Sequence, residues 1–399
     1  MRGTTLRCRV CERELPLAPV SACPACHGPV DVAYDFTAAR LIASEGAARS
    51  MWRYGDLLPH VPADLDTPGL TPLVAAPRLS EALGIELLLK LEAANPTHSF
   101  KDRIAATAVA SAQAYGFRTV CCASTGNLAE AIAARCAASA LEAVILCPQG
   151  DLPLLPVPAY GARVFGVAGE LDDCRELERR LESLFPWGFL GGNLHAAAAE
   201  GAKTIAYEIF EQLHSSMPDV IVSPAASGML LAKLAQGAAE LDELGLWRKP
   251  PPRLYGAQAG GCPPLAAAWA DDRPLSRVRP ATRARSLAIG DPVYGDLAMG
   301  AARVSGGAIV AVPEEEIAGR TAFLAEASGV VADAAGGVAI GALLDLVRSG
   351  TIAEGERVVL IVTGGGAKAF GHEVDVTAEE IDLDVDAVLA ALGVSALAH

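Results

Sequence analysis

Two hydrophobic periods alternate along most of the chain. Fully apolar runs of five to eight residues, such as "IELLLKLE" (85–92), "TVCCAS" (119–124) and "EAVILCP" (142–148), predict buried strands. Between them lie longer stretches in which apolar residues return every three or four positions, such as "NLAEAIAARCAASA" (127–140) and "LDDCRELERRLESLF" (171–185), and these predict helices. With the strands "ARVFGVAG" and "GFLGGN" they make a βαβαβαβ series from Thr119 to Asn193. A second series follows: the helix "AEGAKTIAYEIFEQL", the strand "DVIVSPA", a helix, and the strand "RLYGAQA". A loop-rich region to about Ala301 comes next, then "AIVAVP", two helices, and the strand opening "ERVVLIVTGGGAKAF". Such alternation predicts an α/β fold built on doubly wound parallel sheets. Near the N-terminus, "VDVAYDFTAARLIA" reads as a strand entering a helix, and residues 59–72 as a Pro- and Gly-rich loop laid over a domain.

Against this pattern one residue is out of place. In "LEAANPTHSFKDRIAA" (91–106), Asn95-Pro96-Thr97 predicts a turn and Ser99 the cap of a helix, which puts Lys101 in its first turn. A helix N-terminus already carries roughly half a positive charge, so a cation there is unfavourable. Two readings stand: a surface lysine paired with Asp102 or Glu92, or a partly desolvated amine whose lowered pKa makes it a nucleophile able to hold an aldehyde cofactor. Three strand-to-helix junctions supply candidate ligand loops: "ASTGNLAEA" (123–131), "SPAASGMLLA" (223–232) and "VTGGGAK" (362–368). Backbone NH groups at such junctions suit a carboxylate or phosphate, and ligands of open α/β sheets bind at the carboxyl ends of the strands.

Four of the ten cysteines lie at the N-terminus, as Cys8-x2-Cys11 and, after eleven residues, Cys23-x2-Cys26. Two such knuckles predict a structural Zn²⁺ held by four thiolates, closed to catalysis, in a segment too small for its own apolar core. The other six cysteines sit in apolar surroundings, as reduced buried thiols do. The chain is 52% hydrophobic and 20% charged, with a formal net charge of −15. That suits a globular protein and argues against nucleic-acid or anionic-membrane binding. No apolar window predicts a signal peptide or a membrane span, so a cytoplasmic location is expected.

"NPTHSFKDR" together with "STGN" resembles the fold-type II pyridoxal-phosphate enzymes. The ribbon, "WRYGDLLP", "GLTPL", "EGAKT", "ASG", "GAQAGGC" and "SLAIGDP" extend the likeness to the threonine synthases that carry an N-terminal ribbon. Cysteate synthase is a close relative of these. The resemblance implies two α/β domains plus the ribbon: residues 1–33 the zinc ribbon, 34–105 with 198–399 a discontinuous large cofactor domain, and 106–197 a small mobile domain. It implies that Lys101 forms the Schiff base with pyridoxal 5'-phosphate and relays protons. Ser124, Thr125, Gly126 and Asn127 then hold the substrate carboxylate, with Asn127 also at the cofactor's phenolic oxygen. Ala225, Ala226, Ser227, Gly228 and Met229 form the phosphate cup, and Thr363 faces the pyridine nitrogen. A homodimer or other homo-oligomer acting on a small amino acid is expected. The chain departs from the family where an arginine usually approaches the substrate phosphate: here stand His195 and then Ala196 to Ala199. His195 is the remaining candidate for that contact, with Lys203 or Arg103 as possible aids. The reactions open on this reading are threonine synthesis from O-phosphohomoserine, β-replacement on phosphoserine or a related serine derivative, and deamination of serine or threonine. A zinc-ribbon regulatory protein on an inactive enzyme fold is the reading from another class.

Overall fold

A computed structural model describes residues 4–42, 48–63, 67–154, 156–366 and 379–393. Its strands are, in chain order, β1 (Thr4–Cys8), β2 (Glu14–Pro16), β3 (Val30–Tyr34), β4 (Leu73–Ala75), β5 (Glu86–Leu91), β6 (Thr119–Ala123) and β7 (Glu142–Pro148). They continue with β8 (Arg163–Val167), β9 (Gly188–Phe189), β10 (Val220–Pro224), β11 (Arg253–Ala259), β12 (Ala308–Val312), β13 (Arg357–Val362) and β14 (Glu379–Ile381). The helices are α1 (Pro77–Leu83), α2 (Lys101–Ala114), α3 (Asn127–Ala138), α4 (Leu171–Glu182), α5 (His195–Gln212) and α6 (Met229–Glu243). After them come α7 (Pro264–Ala270), α8 (Gly295–Ser305), α9 (Ile317–Ser328), α10 (Ala334–Arg348) and α11 (Val385–Ala391).

Among the described residues the strands form three sheets. An antiparallel sheet β2-β1-β3 carries the cysteine knuckles. A six-stranded sheet runs β12-β11-β10-β13-β5-β4, parallel except for β4 at its edge. A five-stranded sheet runs β14-β8-β7-β6-β9, parallel throughout. Every residue of β6 and β10 is buried, which is why these strands read as unbroken apolar runs rather than alternating ones. The expected α/β class with doubly wound parallel sheets is what the chain forms.

Helices α2, α5 and α6 lie between the two large sheets. α2 is buried from Asp102 to Ala112 and α5 from Ala196 to Phe210, so neither has a solvent face along that length, and α2 and the first half of α5 are rich in small residues. Gly201 shows why: a Cβ there would stand 2.1 Å from the carbonyl oxygen of Arg103, so α5 touches the backbone of α2 directly. The charges that remain on these helices are paired. Arg103 donates to Glu92 (2.7 and 2.8 Å) and to Glu208, all fully buried, and Lys90 reaches Glu208 at 2.7 Å. Such a network rigidifies the junction at which α2 begins.

The structure differs from the sequence expectations in three places. After β3 the chain makes turns instead of a helix among its described residues, because the Asp35 carboxylate accepts from the backbone NH (3.0 Å) and hydroxyl (2.6 Å) of Thr37. The region expected to be loop-rich contains α7 and α8. The C-terminal β14 pairs with β8 in the five-stranded sheet, and Val385, Val388 and Leu389 of α11 bury themselves against that sheet's core. This segment was expected with the large domain. Phe165 and Val167 give the β8 edge an apolar face that needs a cover, and the returning chain supplies it. Lys368, in the last glycine loop, lies outside the described residues.

Candidate active site

The connections after β5, β6 and β13 touch one another, and the one after β10 leaves from the same carboxyl end of the six-stranded sheet, next to β13. The one after β5 holds Lys101. Its turn is fixed by side chains: Asn95 Nδ2 donates to the Glu92 carbonyl and carboxylate, both at 2.9 Å, and Asp102 Oδ2 accepts from the NH (2.9 Å) and hydroxyl (3.0 Å) of Thr97. The N-cap position of α2 is Phe100, one residue later than the Ser99 expected, and Ser99 Oγ instead accepts from the Lys101 NH at 3.1 Å. The turn is then tied to the loop after β13. Phe100 NH donates to the Thr363 carbonyl (3.0 Å), Gly365 NH to the His98 carbonyl (3.0 Å), and Ser99 bridges to Gly364. Lys101 and Thr363 are therefore held side by side by backbone hydrogen bonds.

Lys101 Nζ forms no hydrogen bond or ion pair with a described residue; it lies 4.4 Å from the centre of the Phe100 ring. Burial, and next the charge of Arg175, push its pKa down to about 8. A surface pair with Asp102 is not what forms, since that carboxylate is occupied by Thr97. The amine is the kind that can act as a nucleophile near neutral pH.

The loop after β6 carries Ser124, Thr125, Gly126 and Asn127. Ser124 Oγ accepts from Gly126 NH (3.4 Å) and Ala129 NH (3.1 Å), which opens the turn into α3. Behind it, Glu178 of α4 accepts from the NH groups of Ala123 (3.2 Å) and Gly191 (2.8 Å). Burial raises Glu178 to about 7 even so. A side chain at Gly364 would meet Asn127 Nδ2 at 3.4 Å, so Asn127 stands against the Thr363 loop.

The loop after β10 is a cup. Gly228 has φ +83° and starts α6, and a Cβ there would collide with the Tyr294 carbonyl and Ala298 Cβ, each at 2.8 Å. Only glycine fits. Tyr294 NH donates to the Ser227 carbonyl at 2.9 Å and braces the turn from the side of α8. The NH groups of Ala226, Ser227 and Gly228 donate to no acceptor among the described residues. A helix N-terminus with three open donors fits a phosphate dianion, and the Lys101 amine, two strands away at the same carboxyl edge of the sheet, fits the aldehyde of the same cofactor. The Thr363 side chain, buried at the end of β13, would offer a neutral hydroxyl to a ring nitrogen. The residues present thus fit pyridoxal phosphate.

His195 is elsewhere. It opens α5, half-buried, with its ring 5.3 Å from that of Tyr294. Burial, with the charges of Arg9 and Lys233, pushes its pKa down to about 4. It is neutral near pH 7 and does not supply the protonated partner a phosphate needs. Arg103 and Lys203, the other cations considered for that role, are fully buried in ion pairs with Glu92, Glu208, Glu200 and Glu240.

The cysteines meet as their spacing predicts. The sulfurs of Cys8, Cys11, Cys23 and Cys26 all lie within 4.8 Å of one another, with Cys8 and Cys26 at 3.4 Å and Cys11 and Cys23 at 3.7 Å. Sulfurs at about 2.3 Å from one tetrahedral Zn²⁺ would be about 3.8 Å apart, so the set fits that ion. The ribbon also touches the cup's brace: Arg9, paired with Asp31 at 2.5 Å, stacks on Tyr294 at 5.3 Å.

Sequence reasoning missed Arg175, Glu178 and Tyr294. Nothing in the helical pattern of α4 marks the face that turns toward Lys101. Tyr294 lies in what read as loop.

Residues 65–364 match the family model described as pyridoxal-phosphate dependent enzyme. The chain is 34% identical to the threonine synthase of Methanosarcina acetivorans over 400 aligned positions, covering 97% of this chain and 98% of that one. It is 37% identical to the threonine synthase of Mycobacterium bovis over 303 positions, 75% of this chain and 82% of the other. Maize serine racemase superposes with a TM-score of 0.62 at 20% identity, over 74% of this chain and 88% of that one, a likeness of fold.

Proposed function

The chain belongs to the pyridoxal-phosphate dependent enzymes, and from that premise we propose that it is a threonine synthase, converting O-phosphohomoserine and water to threonine and phosphate. The observation that carries this reading is the end-to-end similarity to a threonine synthase, ribbon segment included. When bound, pyridoxal phosphate supplies the electron sink that makes protons next to the amino group removable. The chain's own residues do the rest. Lys101 moves the protons at Cα and Cβ, burial lowering its pKa to about 8 so that a usable share of the amine is neutral near physiological pH. Phosphate leaves from Cγ and water adds at Cβ. Ser124 to Asn127 hold the substrate carboxylate at the start of α3, and the Ala225 to Met229 cup holds the cofactor phosphate. Thr363, a hydroxyl rather than an acid, does not force a proton onto the ring nitrogen, which favours loss of a leaving group over racemisation.

We assign one Zn²⁺ to Cys8, Cys11, Cys23 and Cys26 in a structural role. Six further cysteines are buried as free thiols, which supports a reducing compartment such as the cytoplasm. No helix among the described residues is long and apolar enough to cross a membrane. A homo-oligomer, expected from the resemblance, belongs to the same reading.

The test is a panel of O-phosphohomoserine, O-phosphoserine, serine and threonine with the purified holoenzyme, following phosphate, keto acid and amino-acid products. Threonine and phosphate from the first substrate support the assignment. Turnover of phosphoserine, serine or threonine with phosphohomoserine inert would replace it with β-replacement or deamination.

A further inference from the structure

The segment joining α7 to α8 carries Arg277, Arg279, Arg283 and Arg285 within nine residues, in a chain of net charge −15. All four line a cavity of about 890 Å³ whose wall includes Thr125 of the loop after β6. The facing wall carries Asp151, from the connection that follows β7, and Glu170 and Asp172, the N-cap and first turn of α4. Pairs cross between them: Arg285 to Asp151 at 2.8 Å, Arg277 to Asp172 at 3.6 Å and Arg279 to Glu170 at 3.7 Å. Arg175, one turn further along α4, pairs with the same Asp172 carboxylate at 3.2 Å. Asp172 is thus bracketed by two guanidiniums.

Three features make this bracket an anion subsite rather than a surface ion-pair cluster. Positive charge is in excess: Arg175 and the four loop arginines meet Asp151, Glu170 and Asp172, and Glu314, beside Thr282 at 3.0 Å, is one carboxylate more at the rim. The Arg277 pair is long and its arginine side chain is 59% exposed, so exchanging its partner costs little. Thr125 of the loop after β6 lines the same cavity, and the Arg175 charge contributes to the lowered pKa of Lys101. Meanwhile the first turn of α5, with His195 neutral and Ala196 to Ala199 behind it, presents no cation to a substrate.

We propose that Arg175 and Arg277 form the subsite for the phosphate on the substrate's side chain, and that this phosphate takes the place of Asp172 between them. The inference rests on the threonine synthase reading above for the identity of the phosphate-bearing substrate. Two guanidiniums can each grip phosphate through paired NH donors, which a carboxylate already seated there shows to be sterically possible. Asp172 then acts as an internal competitor that keeps the subsite ordered between turnovers.

The test uses holoenzyme, so that the cofactor cup is filled, and reads kcat and KM for O-phosphohomoserine together with binding of inorganic phosphate by calorimetry. Arg175→Gln and Arg277→Gln should each raise KM and weaken phosphate binding by about ten-fold or more, with kcat changed much less. Arg175→Lys should recover part of the loss. Asp172→Asn should tighten phosphate binding, an effect that a merely structural role for Asp172 would not produce. Arg277 is on an exposed segment, so its variant remains informative if the Arg175 variant folds poorly. If phosphohomoserine turns over while KM and phosphate binding ignore both arginines, the subsite is wrong and the reaction stands. If phosphohomoserine is inert but inorganic phosphate binds through these arginines, the reaction assignment falls and the anion subsite stands.

Discussion

At the scale of single residues, the account turns on the protonation of Lys101. A cation at a helix N-terminus was the anomaly visible in the sequence, and the structure resolves it by burial and a nearby guanidinium that hold the amine near about 8. The sign follows directly: above that pH the folded protein's amine is neutral, below it protonated and unreactive. The rate at which apoenzyme captures pyridoxal phosphate, followed by the cofactor's absorbance, should therefore rise with pH to an apparent midpoint near about 8. A midpoint near the ordinary lysine value would contradict the assigned environment. Lys101→Ala should fold normally, lack the covalently bound cofactor's spectrum and lose turnover by at least about 10³-fold. Lys101 was legible because a charge in the wrong place breaks a local rule. The low basicity of His195 was not legible because Tyr294, Arg9 and Lys233, which surround it, come from segments far away in sequence and leave no mark near residue 195.

At the scale of elements, apolar runs were readable where one strand or helix supplied its own pattern. β6, β7, β10 and β13 are buried along nearly their whole length, so hydrophobicity alone exposed them. Helices α7 and α8 were hidden by proline and glycine at their starts, and β14 by an acidic sequence whose strand pairing depends on a partner more than 200 residues away. The cup was legible as a run of small residues, but its brace was not. Gly228→Ala tests that brace. The new methyl meets Tyr294 and Ala298 at a backbone angle that disfavours any Cβ, at a cost of about 1–2 kcal/mol before the clash is counted. Affinity for pyridoxal phosphate, measured by fluorescence titration, should fall about ten-fold or more. Unchanged affinity would show that the cup is not the phosphate site.

At the scale of the whole molecule, the ribbon joins the two large sheets as a third contact. Ser21 donates to Glu182 of α4, Tyr34 donates to the buried Glu200 of α5 at 2.9 Å, and Arg9 stacks on Tyr294. Glu200 itself sits between Lys203 and Lys233, which hold it down near about 2. The purified protein should carry about one zinc per chain. A chelated sample should melt at a lower temperature while keeping the kcat of the zinc-loaded enzyme at saturating cofactor. Metal content near zero in a fully stable protein would contradict the zinc assignment. The central claim is the reaction, and one isotope experiment addresses it most directly: holoenzyme turning over O-phosphohomoserine in ¹⁸O-labelled water. Elimination from Cγ followed by addition at Cβ places the label in the threonine hydroxyl and leaves the released phosphate unlabelled. Label in the phosphate, or a keto acid in place of threonine, would contradict the account.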